Sequence, residues 1–182
     1  MKIGVLAVQG AFIEHEHIIE KIGHEVVEIR QRKDLDGIDG IILPGGESTV
    51  QGQLLRKLDM LATIKSLIAD GLPTLATCAG LILLAGHIDN DDSVHIGTLP
   101  VTVKRNAYGR QLGSFVRTAP MKGFDEFPMI FIRAPYISSI KDNVDVLAAV
   151  NDRIVAVQYN NQIGLAFHPE LSGDTRIHEY FI

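Results

Sequence analysis

The first half of the chain alternates two spacings of apolar residues. Ile3-Gly4-Val5-Leu6-Ala7-Val8 is a run without a polar side chain, the pattern of a strand covered on both faces in a parallel sheet. Phe12, Ile18, Ile19 and Ile22 then recur at helical intervals of three, four and seven, and Gly23 follows as a stop signal. Residues 24–29 and 40–43 read as a second and a third strand. Leu54, Leu55, Leu58, Leu61, Ile64, Leu67 and Ile68 carry helical spacing up to Gly71, residues 73–77 form a fourth strand, and Leu81-Ile82-Leu83-Leu84 opens a buried helix. Such a β-α-β-α rhythm predicts an α/β fold: an open, mostly parallel sheet flanked by helices on both faces. After His87 the rhythm breaks into short strands at 99–104, 114–117, 129–133, 144–150, 154–159 and 162–167, separated by Asn, Gly, Asp and Pro. These predict antiparallel strands added in the C-terminal half. A last helix begins near Asp174. With 182 residues and no repeat, low-complexity tract or linker, the expectation is one domain over 1–182.

In open α/β sheets ligands bind beyond the carboxyl ends of the strands, so the segments there carry the candidate chemistry. They are Gln9-Gly10, Pro44-Gly45-Gly46-Glu47-Ser48, Cys78-Ala79-Gly80 and His168-Pro169-Glu170. Cys78 lies where a strand passes directly into a helix, a sharp turn that projects a nucleophile clear of the sheet. The positive end of the helix favours a thiolate and offers N–H groups to an oxyanion. The competing reading is a small buried hydrophobic residue. Proline biases His168 toward extended backbone, where residues i and i+2 point the same way, so Glu170 is placed to orient the imidazole. A solvated surface turn is the alternative. The paired glycines permit close approach to a ligand, whereas a plain strand-to-helix turn with Ser48 as N-cap reads equally well there. No phosphate-loop pattern is present. His15 and His17 splay by about 200° on a helix, which argues against a shared metal, and no metal-ligand spacing occurs elsewhere. Lys104, Arg105, Asn106, Arg110 and Arg133 read either as solvated basic positions or as carboxylate holders.

Composition narrows the partners. The chain carries 17 Lys plus Arg against 22 Asp plus Glu, net −5, which lacks the basic footprint of a nucleic-acid binder. A single cysteine excludes an internal disulfide framework. The longest apolar stretch, 75–86, contains Thr77 and Cys78 and falls short of the ~18 residues of a membrane span. The run at 3–8 is short for a signal peptide and is soon followed by Glu14-His15-Glu16-His17. A cytoplasmic protein with a reduced thiol is the expectation.

Six segments in order resemble the class I glutamine amidotransferases, and within them the glutaminase subunits of ribose 5-phosphate-dependent pyridoxal 5′-phosphate synthases. They are Gly4-Val5-Leu6 with Gln9-Gly10, residues 43–49, Thr77-Cys78-Ala79-Gly80, Arg105-Asn106-Ala107-Tyr108-Gly109-Arg110-Gln111, Phe131-Ile132-Arg133-Ala134-Pro135 and Phe167-His168-Pro169-Glu170. The resemblance implies Cys78 as nucleophile, His168 as base and then acid, and Glu170 as its orienter. It implies glutamine contacts at Gly46, Glu47, Ser48, Arg105, Ile132 and Arg133, and oxyanion donors at Gly46 and Ala79. Gln9 and Gly10 become a partner-coupled loop. It further implies hydrolysis of L-glutamine with no cofactor or metal, and transfer of ammonia to a β/α-barrel synthase subunit in a large hetero-oligomer. Ala76 stands where the elbow usually has glycine, and the last helix is shorter than the family's. The residues alone also admit a noncatalytic metabolite-binding module or a stand-alone cysteine hydrolase. Arg105 and Arg133 favour a free amino acid over a peptide, since a free carboxylate wants a cation.

Overall fold

The computed structural model describes residues 1–106 and 113–182. Chain order begins β1 (Lys2–Leu6), α1 (Phe12–Lys21), β2 (Glu25–Ile29), β3 (Gly40–Leu43), α2 (Ser48–Lys57), α3 (Leu61–Ala69), β4 (Thr74–Thr77) and α4 (Ala79–Leu84), with a short 3-10 turn at Arg32–Leu35. It continues β5 (Ala85–Ile88), β6 (Leu99–Lys104), β7 (Ser114–Met121), β8 (Phe124–Ile132), β9 (Tyr136–Ile140), β10 (Asp145–Val150), β11 (Arg153–Tyr159), β12 (Gln162–Leu165) and α5 (Arg176–Phe181).

The main sheet runs β2-β1-β3-β4-β12-β11-β9-β6-β5, with β10 paired to β11. Strands β2, β1, β3, β4 and β12 are mutually parallel, and the pairs among β12, β11, β9 and β6 are antiparallel. The step from β1 to β2 runs one way along the sheet and the step from β3 to β4 the other. Right-handed crossovers therefore put α1 and the α2–α3 pair on opposite faces. The apolar runs of the sequence become the centre: Ile3, Val5, Leu6, Ile41, Ile42, Leu43 and Leu75 are all fully buried. At about 1.5–3 kcal/mol per fully buried aliphatic side chain, this layer is the main source of the fold's stability.

Two strands escaped the sequence reading. In β5 the central Gly86 and His87 are exposed, so the segment looked like the tail of the preceding apolar helix. In β9 the serines at 138 and 139 dilute the alternation. The stretches expected at 114–117 and 129–133 are longer, β7 and β8, and form a separate two-stranded ribbon rather than part of the main sheet. The ribbon is held by its inner face. Phe127 and Phe131 are buried and pack against Phe167, tilted and edge-on, with ring centroids 6.0 and 5.7 Å away.

Register decides where the functional residues meet. Leu43 pairs with Ala76, and Thr77 with Leu165. The chain therefore leaves β3, β4 and β12 at one level, on one rim of the sheet.

Candidate active site

Cys78 occupies a strained turn. It has φ +49° and ψ −101° and serves as N-cap of α4, in a region of backbone space that costs about 1–3 kcal/mol and persists only where surroundings enforce it. Two features enforce it here. The four residues of β4 are wholly buried, and the Cys78 N–H donates to the Leu165 carbonyl at 2.8 Å. Ala76 is fully buried in β4, two residues before the turn. Cys78 is 8% exposed, and that sliver opens into a cavity of about 480 Å³, inside the range of small-molecule sites.

His168 stands across from the thiol. Its Nδ1 lies 2.6 Å from Glu170 Oε1, and both side chains are buried. The pairing was foreseen, but the backbone reaches it differently. His168 leads into a 3-10 turn at Pro169–Leu171 instead of continuing as extended chain. The His168 N–H is fixed by the Ile130 carbonyl of β8 at 2.8 Å. Burial pushes the His168 pKa down, but hydrogen bonds to Cys78 and Glu170, and their charges, carry it up to about 10. The imidazolium thus persists at neutral pH beside the sulfur, an arrangement suited to nucleophilic attack followed by proton donation. Burial alone would push the Glu170 carboxyl up; the imidazoles of His15 and His168 outweigh it and hold it below its ordinary value.

The glycine loop after β3 forms the facing wall. A side chain at Gly45 would put its Cβ 2.3 Å from His168 Cε1, so the ring packs directly on the peptide. Gly10, at φ +106°, would drive a Cβ to 1.9 Å from the Gly45 carbonyl oxygen. The loops after β1 and β3 are also bonded together: Ala11 N–H to Gly45 O at 3.0 Å, Glu47 N–H to Gln9 Oε1 at 2.9 Å, and buried Gln51 Nε2 to Gln9 O at 2.9 Å. Glu47, not Ser48, is the N-cap of α2. Its carboxylate accepts from the N–H groups of Thr49 and Val50 at 3.2 and 2.8 Å.

The cavity collects Gln9, Gly46, Glu47, Ser48, Cys78, Ala79, Arg105, Ile132, Arg133 and His168 around one space. Glu170 sits behind His168, and Gly10 braces the wall from outside. Arg105 is held by Asp91 at 3.3 Å and near Thr49 Oγ1 at 3.4 Å, while its buried Nε and Nη2 have no partner among the described residues. Arg133 follows β8 with φ +42° and is exposed at the cavity mouth. Ala107 to Gln111, singled out in the sequence, lie outside the described residues.

Sequence reasoning missed the back of the site. His15 is fully buried, with Nε2 at 3.4 Å from Glu170 Oε2 and 3.3 Å from Thr77 Oγ1, and Nδ1 at 2.9 Å from His178 Nε2. The available signal was its place in the apolar stripe, three residues after Phe12 and three and four before Ile18 and Ile19. His17 points to solvent. Among the described residues no cluster of three His, Cys, Asp or Glu could hold a metal, and no helix is long and apolar enough to cross a membrane.

Comparison with known proteins agrees with this geometry. Residues 5–182 match the model of the SNO glutamine amidotransferase family. The chain is 58% identical over 183 residues to the pyridoxal 5′-phosphate synthase subunit PdxT of Desulfitobacterium hafniense (strain DSM 10664 / DCB-2), covering all of this chain and 92% of the relative. It is 52% identical over 186 residues to the subunit of that name in Streptococcus pneumoniae (strain ATCC 700669 / Spain 23F-1), covering all of this chain and 96% of the relative. A crystal structure of a glutamine amidotransferase superposes with a TM-score of 0.95 at 39% identity, over 98% of this chain and 96% of that one. With a strained cysteine, a carboxylate-braced histidine and a family match over nearly its whole length, the chain belongs to the SNO glutamine amidotransferase family.

Proposed function

We propose that this protein, as one glutamine amidotransferase domain acting in the cytoplasm, hydrolyses L-glutamine and delivers the ammonia to the barrel subunit of a pyridoxal 5′-phosphate synthase. The observation that carries the reading is the thiol–imidazole–carboxylate line opening into a cavity with arginines at its mouth. Arg105 and Arg133 take the α-carboxylate, a charge-assisted match. Glu47 keeps lone pairs beyond its two capping bonds for the α-ammonium. Ser48 and Ile132 complete the walls.

The Cys78 thiolate attacks the side-chain amide carbon, and the resulting oxyanion is taken by the N–H groups of Gly46 and Ala79. His168 gives its proton to the amide nitrogen, the C–N bond breaks and ammonia leaves, with a γ-glutamyl thioester remaining. Water then gives a proton to His168 and adds to the thioester. The C–S bond breaks, and glutamate leaves with thiolate and imidazolium restored. Gln9, bonded to the oxyanion wall, and Gly10, packed against it, are where a docked synthase subunit acts on it.

Glutamate release is measured with and without the synthase subunit, together with glutamine-dependent pyridoxal 5′-phosphate formation by the pair. Activity in the pair and its loss by roughly 10⁴-fold in Cys78→Ala, with the fold intact, is the expected result. Undiminished hydrolysis in Cys78→Ala removes Cys78 as nucleophile. Absence of glutamine hydrolysis even with the synthase subunit removes the assignment.

A further inference from the structure

Behind the catalytic line the two histidines form a buried chain that the reaction steps above do not use. Glu170 is bonded on one side only: Oε1 meets His168, while Oε2 is buried and makes no well-formed hydrogen bond among the described residues. The group facing Oε2 is His15 Nε2 at 3.4 Å, which also lies 3.3 Å from the hydroxyl of Thr77, the residue before Cys78. His15 therefore sits at a fork between the strand that carries the thiol and the carboxylate that orients the imidazole.

Proton positions follow from the partners. Burial outweighs the nearby Glu170 and Glu14 charges and lowers the His15 pKa, so its ring is neutral with one N–H. If that N–H were on Nδ1, a lone pair on Nε2 would face a carboxylate in a dry interior. With the N–H on Nε2, the ring has Thr77 Oγ1 at 3.3 Å and Glu170 Oε2 at 3.4 Å as acceptors, and Nδ1 accepts from His178 Nε2 at 2.9 Å. His178 must then carry its proton on Nε2. Its Nδ1 is buried without a partner among the described residues, so the alternative tautomer would strand a donor there, the costlier choice. One assignment gives every ring N–H an acceptor: His178 to His15, His15 to the fork between Thr77 Oγ1 and Glu170 Oε2, and His168 to Glu170. The second nitrogen of an oriented histidine commonly settles its tautomer in this way.

We propose that His15 is a positioning residue of the glutamine-hydrolysing site, donating Nε2–H to Glu170 Oε2, and that His178 fixes the tautomer that allows it. The inference rests on the function proposed above. With His15 in place a ring N–H stands 3.4 Å from Oε2 while Oε1 meets His168, so Glu170 stays ionised and its Oε1 stays aimed at His168. Without it Oε2 is a buried, unsolvated acceptor, and the carboxyl is protonated more readily, weakening the imidazolium beside Cys78. The charged or titratable groups facing this chain are Glu14 on the same helix, His168 and Glu170 across from it, and Asp174 near His178.

The test compares His15→Leu with His15→Gln, whose Nε2 amide can donate in the same direction, and His178→Phe with His178→Gln, in the protein complexed with its synthase subunit. Two readouts are taken across pH 5–9: steady-state glutamine hydrolysis, and the rate at which iodoacetamide alkylates Cys78, which needs no substrate. For His15→Leu the expected results are a kcat about 10- to 100-fold lower, a KM for glutamine within twofold, and acid limbs of both kcat and alkylation moved to higher pH. His15→Gln restores kcat to within about threefold and returns the limbs. His178→Phe gives the same changes at smaller size, and His178→Gln does not. A Leu variant with wild-type kcat and alkylation profile overturns the proposal. So does equal loss in the Leu and Gln variants with unmoved limbs, which would mean that the position matters for packing only; the His178 pair decides the matter if His15→Leu does not fold. If the wild type does not hydrolyse glutamine, the proposed function fails, while the alkylation profiles still judge the positioning of the thiol–imidazole pair.

Discussion

Two buried histidines, one on each side of Glu170, have opposite electrostatic fates. His168, on the cavity side, is carried up to about 10, and His178, on the far side, is driven down to about 3. Burial lowers both. His168 has a thiol and a carboxylate to hold its proton, whereas His178 has another imidazole and only the weaker pull of the Asp174 charge. Depth alone does not decide whether a histidine is charged; the partners within hydrogen-bond reach do. The front of the site thereby holds a charged imidazole beside the sulfur, and the back a neutral hydrogen-bonded support.

Glu170→Gln breaks this contrast most severely. A carboxamide presents an NH₂ where one of two histidines already donates, so one tautomer must change. Glutamine hydrolysis is expected to fall by about 10²- to 10⁴-fold with little change in KM, and a variant as active as wild type would show that Glu170 does not divide the two sides. Gly45→Ala disturbs the front alone. The new methyl displaces the His168 ring, giving a kcat loss of about 10- to 100-fold with the back untouched; an unshifted His168 resonance in NMR spectra would contradict it. Arg105→Met leaves Cys78 and His168 in place and removes the carboxylate partner proposed for glutamine, raising KM for glutamine by about tenfold with the larger effect in KM than in kcat.

The smallest effect lies at the back and is one of stability. The unfolded chain protonates His178 near 6.5, and the folded chain refuses the proton until about 3. The unfolded state then binds more protons between those values, so His178 costs nothing above pH 6.5 and destabilises progressively as pH falls toward 3, by about a few kcal/mol at most. Chemical denaturation midpoints of His178→Phe, followed from pH 7 to 4, should fall less steeply than those of wild type. Parallel curves would assign the acid instability to other groups.

What was legible in the chain was local. The cysteine turn, the His-Pro-Glu segment and the paired glycines each sit within five residues at a strand end, and parallel strands of matching register bring such ends together whatever else the chain does. The identity of the N-cap of α2 was missed because Glu47 and Ser48 are both competent, and the bonds to Thr49 and Val50 choose between them. The ribbon was misplaced because alternation announces a strand without naming its partner. The His15–His178 contact spans 163 positions; neither histidine announces it, although the apolar stripe around His15 marked that residue as inward-facing.

The ribbon has a consequence for how the site is kept in alignment. Strands β7 and β8 share no ladder with the main sheet, yet the Ile130 carbonyl grips the backbone of His168 and, three residues on, Arg133 stands at the cavity mouth. A single ribbon thus carries both the backbone anchor of His168 and, on the function proposed above, a cation for the incoming amino acid. On that function, a carboxylate held at Arg133 and a proton carried at His168 are therefore placed by one ribbon, and a change in β8 reaches both.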